Sequence, residues 1–297
     1  MLLSQLEYFV ALARERHFGR AAAACFVSPS ALSESIQKLE AELGAQLVNR
    51  GRNFQGLTGE GELALLWARR ILSDQDSLLT DLSAAKGNLN AHIRIGAIPA
   101  GSSIGATVIS ELGKTHPSVT ASLNTGLSSE EIVSKLRSFE LEAGVILPSA
   151  ADGPDLHEVA FGELSNVVIA STGIFSSDTK IIRGRMLNEV QLALLAPDMR
   201  ARQQLDKRML EHGIHLEPRL EVDSLESLLS LVACGPWAAV LPESAITEYP
   251  LNPNIRVFSL TDPHVTMPVA IVRLASRSAE SLSEAIDDAV RSVLTSD

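Results

Sequence analysis

Apolar residues recur at helical spacing near the start of the chain. Leu6, Phe9, Val10 and Ala13 predict an amphipathic helix over residues 3–15. Residues 19–25 are nearly all alanine and read as a short helix able to pack close to its neighbours, with Phe18 plugging the core at its start. Leu32, Ile36, Leu39 and Leu43 form the apolar stripe of a third helix. Ser28 suits its N-cap, Pro29 its first helical position, and Gly44 a C-terminal cap with positive φ. Its other face carries Ser30, Ser33, Glu34, Gln37 and Lys38, mostly short and hydrogen-bonding. A helix with small polar residues in its first turns can enter the DNA major groove. Residues 46–50 and 57–58 flank a Gly- and Asn-containing stretch and predict a hairpin or wing, from which Arg50 and Arg52 would project.

From Thr58, a suitable cap, no proline interrupts the chain until after residue 86. Leu63, Leu66, Trp67, Ile71, Leu78, Leu82 and Ala85 recur on one side. The resulting helix would be about 40 Å long, too long for a small winged domain, and reads as a linker or dimerisation helix with Trp67 packing in its seam. The pattern then changes. Strands are predicted at 92–99, 119–124 and 143–147, with helices at 103–115 and 128–139 between them. Further strands are expected at 166–171, 191–195, 217–222 and 237–241, with helices at 198–212 and 224–233. This alternation indicates a parallel sheet covered by helices and arranged as two α/β lobes, with ligands expected at the strand ends between them.

Composition is that of a globular protein, with 45% apolar and 21% charged residues. No apolar run approaches the roughly 18 residues of a membrane span. The first ten residues, MLLSQLEYFV, lack the basic and apolar regions of an export signal, so a cytoplasmic protein is expected. The formal net charge of −11 argues against nucleic acid as a partner when taken over the whole chain. By segment it does not. Residues 1–58 carry six basic and five acidic side chains, whereas residues 59–297 carry 19 basic and 31 acidic. Five of the six early cations are arginines, suited to bidentate phosphate contacts.

The stretches LEYFVALARERHFGRAAAACFVSPSALSESIQKLEAELGAQLVNR, GLTGEGELALLWARRIL and HIRIGAIP resemble the LysR-type transcriptional regulators. The resemblance implies a mixed fold: an N-terminal all-α winged helix-turn-helix with a long linker helix, then a two-lobed α/β effector domain resembling periplasmic binding proteins. The corresponding boundaries are 1–58, 59–90 and 91–297, with a first lobe at about 91–161 and 267–297 and a second at about 162–266. It implies binding to double-stranded promoter DNA as a homo-oligomer, a dimer or tetramer, switched by a small-molecule inducer, with no cofactor, metal or membrane. Carried over, the DNA-binding residues are Arg20, Ser28, Pro29, Ser30, Ser33, Glu34, Gln37, Lys38, Arg50 and Arg52. Many members have Gln-Pro at Pro29-Ser30 and often Arg at Glu34. Here Glu34 either accepts from cytosine N4 or orients a neighbouring polar side chain.

The family places inducers between the lobes. The expected contributors are Ala100, Gly101, Ser102 and Ser103, then Thr125, Leu127 and Ser128, and from the second lobe Pro197, Asp223 and Ser224. These loops precede helices, whose N–H groups would suit a carboxylate or phosphate. Many members carry a hydroxyl where this chain has Ala100. Some relatives sense oxidants through two cysteines in the second lobe, whereas this chain has Cys234 alone there and Cys25 in the DNA-binding segment. Cys234 is expected to be a small buried core residue, and His212 and His215 to lie on the surface. A solute-binding protein with an N-terminal association module would normally carry an export signal. An enzyme should show a nucleophile, an acid/base pair or a cofactor loop, and no Walker-type loop, GxSxG elbow or HExxH occurs.

Overall fold

The computed structural model describes residues 1–50, 54–247, 251–275 and 279–295. The chain divides into two compact units, residues 1–91 with two short later segments, and most of the remainder. The first unit opens with α1 (Leu3–Glu15), α2 (Phe18–Ala24) and α3 (Pro29–Leu43). A hairpin follows, β1 (Val48–Arg50) and β2 (Phe54–Leu57), and then α4 (Gly59–Ala84). Leu6, Phe9 and Leu12 of α1 meet Ala21 and Ala22 of α2, Leu32, Ile36 and Leu39 of α3, and Leu65 and Ala68 of α4. The alanines are what let α2 approach so closely. Phe18 packs at the margin of this core, edge-on to Phe54 at 6.5 Å.

The ends of α3 follow the local rules. Ser28 Oγ accepts the Ala31 N–H, Pro29 occupies the first turn, and Gly44 closes the helix at φ 66°. The stripe is one residue shorter than expected. Leu43 is exposed, and the inward position in the last turn belongs to Glu40. Its carboxylate accepts the Leu47 and Val48 N–H groups at 2.9 and 3.2 Å, tying the hairpin to α3. Thr58 caps α4 through the Gly61 N–H and donates to the Gln46 carbonyl at 2.6 Å. Within the single chain α4 leaves Leu63, Leu66, Trp67, Leu78, Leu79 and Leu82 exposed. The Arg70 guanidinium lies over the Trp67 ring.

The second unit begins with β3 (His92–Ala97), a 3-10 turn at Pro99–Gly101, α5 (Ser102–Thr115), β4 (Thr120–Thr125), α6 (Ser129–Arg137) and β5 (Ala143–Ile146). β3 pairs in parallel with both β4 and β5. β6 (Leu156–Ser171) then runs for 16 residues. The sequence reading found only its last six, residues 166–171, around the apolar run at 167–170. The second lobe adds β7 (Ile181–Arg183), β8 (Ala193–Leu195), α7 (Arg200–Glu211), β9 (Leu220–Val222), α8 (Leu225–Cys234), β10 (Ala238–Pro242), the single turn α9 (Ser244–Thr247) and β11 (Ile255–Thr261). β12 (Thr266–Leu274) and α10 (Glu280–Thr295) complete it.

The expected all-parallel sheet is corrected to a mixed one. Its order is β4-β3-β5-β12-β6-β11-β7, with β10 also paired to β6. β12 pairs antiparallel with β5 and β6, and β6 antiparallel with β10 and β11. β6 and β12 run side by side from one lobe into the other, and their register shifts between Val269 and Ala270. Opposite that step Phe161 is an extra residue and Gly162 has φ 138°, forming a β-bulge. The second lobe's core gathers Val167, Ile169, Leu195, Leu228, Val232, Ala239 and Leu241, with Trp237 packed against it. Cys234 is exposed at the end of α8, not buried. In the last turn of α8 Val232 is fully buried and Ala233 partly so, and Cys234 falls on the outer side.

Candidate nucleic-acid interface and effector cleft

The surface of α3 opposite its buried stripe presents Pro29, Ser30, Glu34, Gln37 and Lys38 to solvent, with Ser33 half-buried beside them. Ser28 and Ser30 share a hydrogen bond between their hydroxyls at 2.9 Å, which orders the helix start. Glu34 does not stand alone. Its carboxylate pairs with Lys38 one turn on, at 2.8 Å, with both side chains about two-thirds exposed. The hydrogen bond and charge of Lys38 lower the Glu34 carboxyl pKa, and Glu34 raises that of Lys38. This is an exposed ion pair between side chains one helical turn apart. Arg20 donates to the Glu15 carbonyl at 2.6 Å and remains exposed at the edge of the same unit. Arg50 ends β1, and Arg52 lies outside the described residues. Phe26, in the turn before α3, is almost completely exposed at 95%, and no sequence signal had drawn attention to it.

Between the lobes of the second unit lies a cleft of about 50 Å³. The first lobe lines it with Ile98, Pro99, Ala100, Leu127, Ser128, Ser129 and Leu147. The second contributes Leu195, Met199, Arg200, Ala201, Leu225 and Pro242. Ala100, Leu127 and Ser128 of the sequence-derived set are therefore brought together. Gly101, Ser102, Ser103, Thr125, Pro197, Asp223 and Ser224 are not among the lining residues. Ser102 Oγ donates to the Pro99 carbonyl, and Ser224 caps α8 through the Ser227 N–H. The Ser102 hydroxyl serves the backbone, and that of Ser224 is shared between the Ser227 N–H and Ser227 Oγ, to which it donates at 2.8 Å.

Arg200 is the residue the sequence reading missed. It opens α7, where the positive end of the helix disfavours a cation. An arginine in that place signals an acidic partner elsewhere in the fold. The structure supplies two from the opposite lobe. The guanidinium makes a fork with both oxygens of Asp152, at 2.6 and 2.9 Å, and its Nε pairs with Glu130. It also donates to the Leu147 carbonyl at 2.8 Å. Arg200 and Asp152 side chains are only 10% and 9% exposed. Burial alone would lower the pKa of the guanidinium, but the hydrogen bonds to Asp152 and Glu130 outweigh it and the net shift is upward. Ser244 adds a second tie across the cleft, donating to the Ala100 carbonyl at 2.9 Å.

The likeness to known proteins covers both units. The family model described as "Bacterial regulatory helix-turn-helix protein, lysR family" matches residues 3–62, and "LysR substrate binding domain" matches residues 86–295. The hydrogen peroxide-inducible genes activator of Dickeya chrysanthemi is 25% identical over 98% of this chain and 95% of its own length. A full-length OxyR variant from Pseudomonas aeruginosa is 30% identical, with a TM-score of 0.75 over 98% of this chain and 95% of that one. Full-length CbnR in complex with its target DNA shares the fold, at 22% identity and a TM-score of 0.73 over 98% and 99% of the two chains. With both parts matched across nearly its whole length, the chain belongs to the LysR family of transcriptional regulators, pairing a DNA-binding helix-turn-helix with an effector-binding domain.

Proposed function

We propose that the protein works in the cytoplasm as a homo-oligomer, a dimer or pair of dimers, that places α3 helices in successive major grooves of promoter DNA. Ser28, Pro29, Ser30, Ser33, Gln37 and Lys38 face base edges and nearby phosphates, with Arg20, Arg50 and Arg52 adding backbone contacts. The observation that carries this reading is the exposed polar face of α3 held over a fully buried apolar stripe. The exposed apolar ridge of α4 supports self-association. The CbnR structure, which was solved with target DNA, supports a DNA-binding role.

In this reading the inter-lobe cleft receives a small-molecule effector, and the protein catalyses no reaction on it. Effector binding changes the lobe closure and so the geometry of the oligomer and the bend of its DNA. The effector shifts that equilibrium by no more than its differential affinity for the two states. Gel shift at low salt tests the DNA half. The full-length protein is expected to retard its own upstream region in preference to random DNA of equal length. Equal retardation of both would overturn the reading.

A further inference from the structure

We infer that the cleft selects an uncharged, mainly hydrocarbon effector and rejects free carboxylates. The inference rests on the reading of the cleft as the effector site and goes beyond it by naming the ligand class. It runs against what the helix starts suggested from the sequence.

Two features of such a cleft, a cation and the start of α6, are already occupied by the chain's own carboxylates, whereas the start of α7 at Met199 carries no side-chain cap. The first is the cation. Among the described lining residues Arg200 is the one charged side chain. Four of its N–H groups are engaged, three with Asp152 and Glu130 and one with the Leu147 carbonyl. One guanidinium against two carboxylates leaves this cluster with a formal charge of −1. The second feature is the start of α6. There the Ser128 N–H donates to Glu131 at 2.7 Å, and the Glu131 N–H donates to Ser128 Oγ at 3.1 Å. This capping box puts a carboxylate where an incoming anion would sit. Ser129 Oγ, next along, accepts the Leu147 N–H at 3.2 Å.

What remains open to a ligand is apolar: Ile98, Leu127, Leu147, Leu195, Met199 and Leu225. A carboxylate entering the cleft would have to break the buried fork with Asp152, and compete with Glu130, to pair with Arg200. Like charges brought together at a desolvated site oppose binding strongly. A neutral hydrocarbon body meets no such barrier. Asp152 and Glu130 thus act as positioning residues: they hold Arg200 across the cleft and also set the charge the cleft accepts.

The test uses full-length protein and matched probes sharing one hydrocarbon: benzamide, benzoate and benzylammonium, and hexanamide, hexanoate and hexylammonium. Binding is read by ligand-observed NMR. The amides are expected to bind about tenfold or more tightly than the matching carboxylates. Met199→Trp, which fills the cleft, should abolish that binding. Asp152→Asn should raise carboxylate affinity at least about tenfold and leave amide affinity nearly unchanged, because the cluster's formal charge then rises from −1 to 0 and the guanidinium loses its bidentate carboxylate partner. Glu130→Gln changes a half-exposed partner and should shift the preference the same way without disturbing the buried pair. Tighter binding of carboxylates than amides by the unmodified protein, lost in Met199→Trp, would overturn the ligand class while upholding the cleft as the site. Binding that survives Met199→Trp, or no binding by any probe, would overturn the cleft as the effector site and the inference with it.

Discussion

Glu40 shows how one side chain can decide the shape of a small domain. A carboxylate at the inward position of α3 is expected to be unfavourable, yet it satisfies two N–H groups of the hairpin backbone. Glu40→Ala leaves those donors without this acceptor and is expected to lower stability by about 1–3 kcal/mol in urea denaturation. Glu40→Gln keeps an acceptor oxygen and should lose less. On the other face Glu34 holds Lys38 by an ion pair. Glu34→Gln removes a negative charge from the proposed DNA face and frees the ammonium. DNA affinity at low salt should rise, and the slope of log K against log salt should steepen by about one. An unchanged slope in filter binding between roughly 50 and 200 mM salt would show that Lys38 makes no phosphate contact. Residues of this kind were legible to different degrees. The caps Ser28 and Gly44 act on their own neighbours in sequence, so they could be read directly. Arg200 could not, because its partners lie 48 and 70 positions away. Its one local trace is a cation at a helix start.

At the scale of elements, the helices from α1 to α8 came out within a residue or two of expectation, whereas α10 was not foreseen. α3 and α4 are examples. β11 and β12 escaped notice, and β6 was cut short. Their stability comes from antiparallel partners far along the chain; β11 and the first half of β6 alternate in burial, a weaker pattern than a continuous buried run, whereas β12 holds a buried run at residues 269–272 and was legible. The prediction of an all-parallel sheet failed for the same reason. α4 carries information that the chain's own core does not use. Its exposed leucines lie in two groups, Leu63 and Leu66 with Trp67, then Leu78, Leu79 and Leu82. Replacing Leu78 and Leu82 together by Glu (Leu78→Glu, Leu82→Glu) should dissolve the oligomer in sedimentation velocity while leaving the helical circular dichroism intact. Specific DNA affinity should fall about 100-fold or more with the loss of linked binding sites. An oligomer that survives the double change would move self-association to another surface.

Over the whole molecule charge is partitioned between the two units. The acidic excess belongs to the α/β unit, and the helix-turn-helix segment is close to neutral. Affinity for DNA therefore has to come from several reading heads acting together, with steep dependence on salt. The lobes of the effector unit are joined by β6 and β12, and between them lies the bulge at Phe161 and Gly162. A paired ribbon resists bending in its plane but twists readily, and the bulge interrupts its hydrogen-bond ladder at one place. The proposed lobe closure thereby becomes observable in time. In hydrogen exchange, the amides at Phe161 and Gly162 should exchange early, while Val168 and Ile169, deep in the second lobe's sheet, stay protected. An effector that closes the lobes should slow the first pair and leave the second unchanged. Two amides at the pivot would thus act as a clock for the switch, readable before the effector's site or its target genes are known.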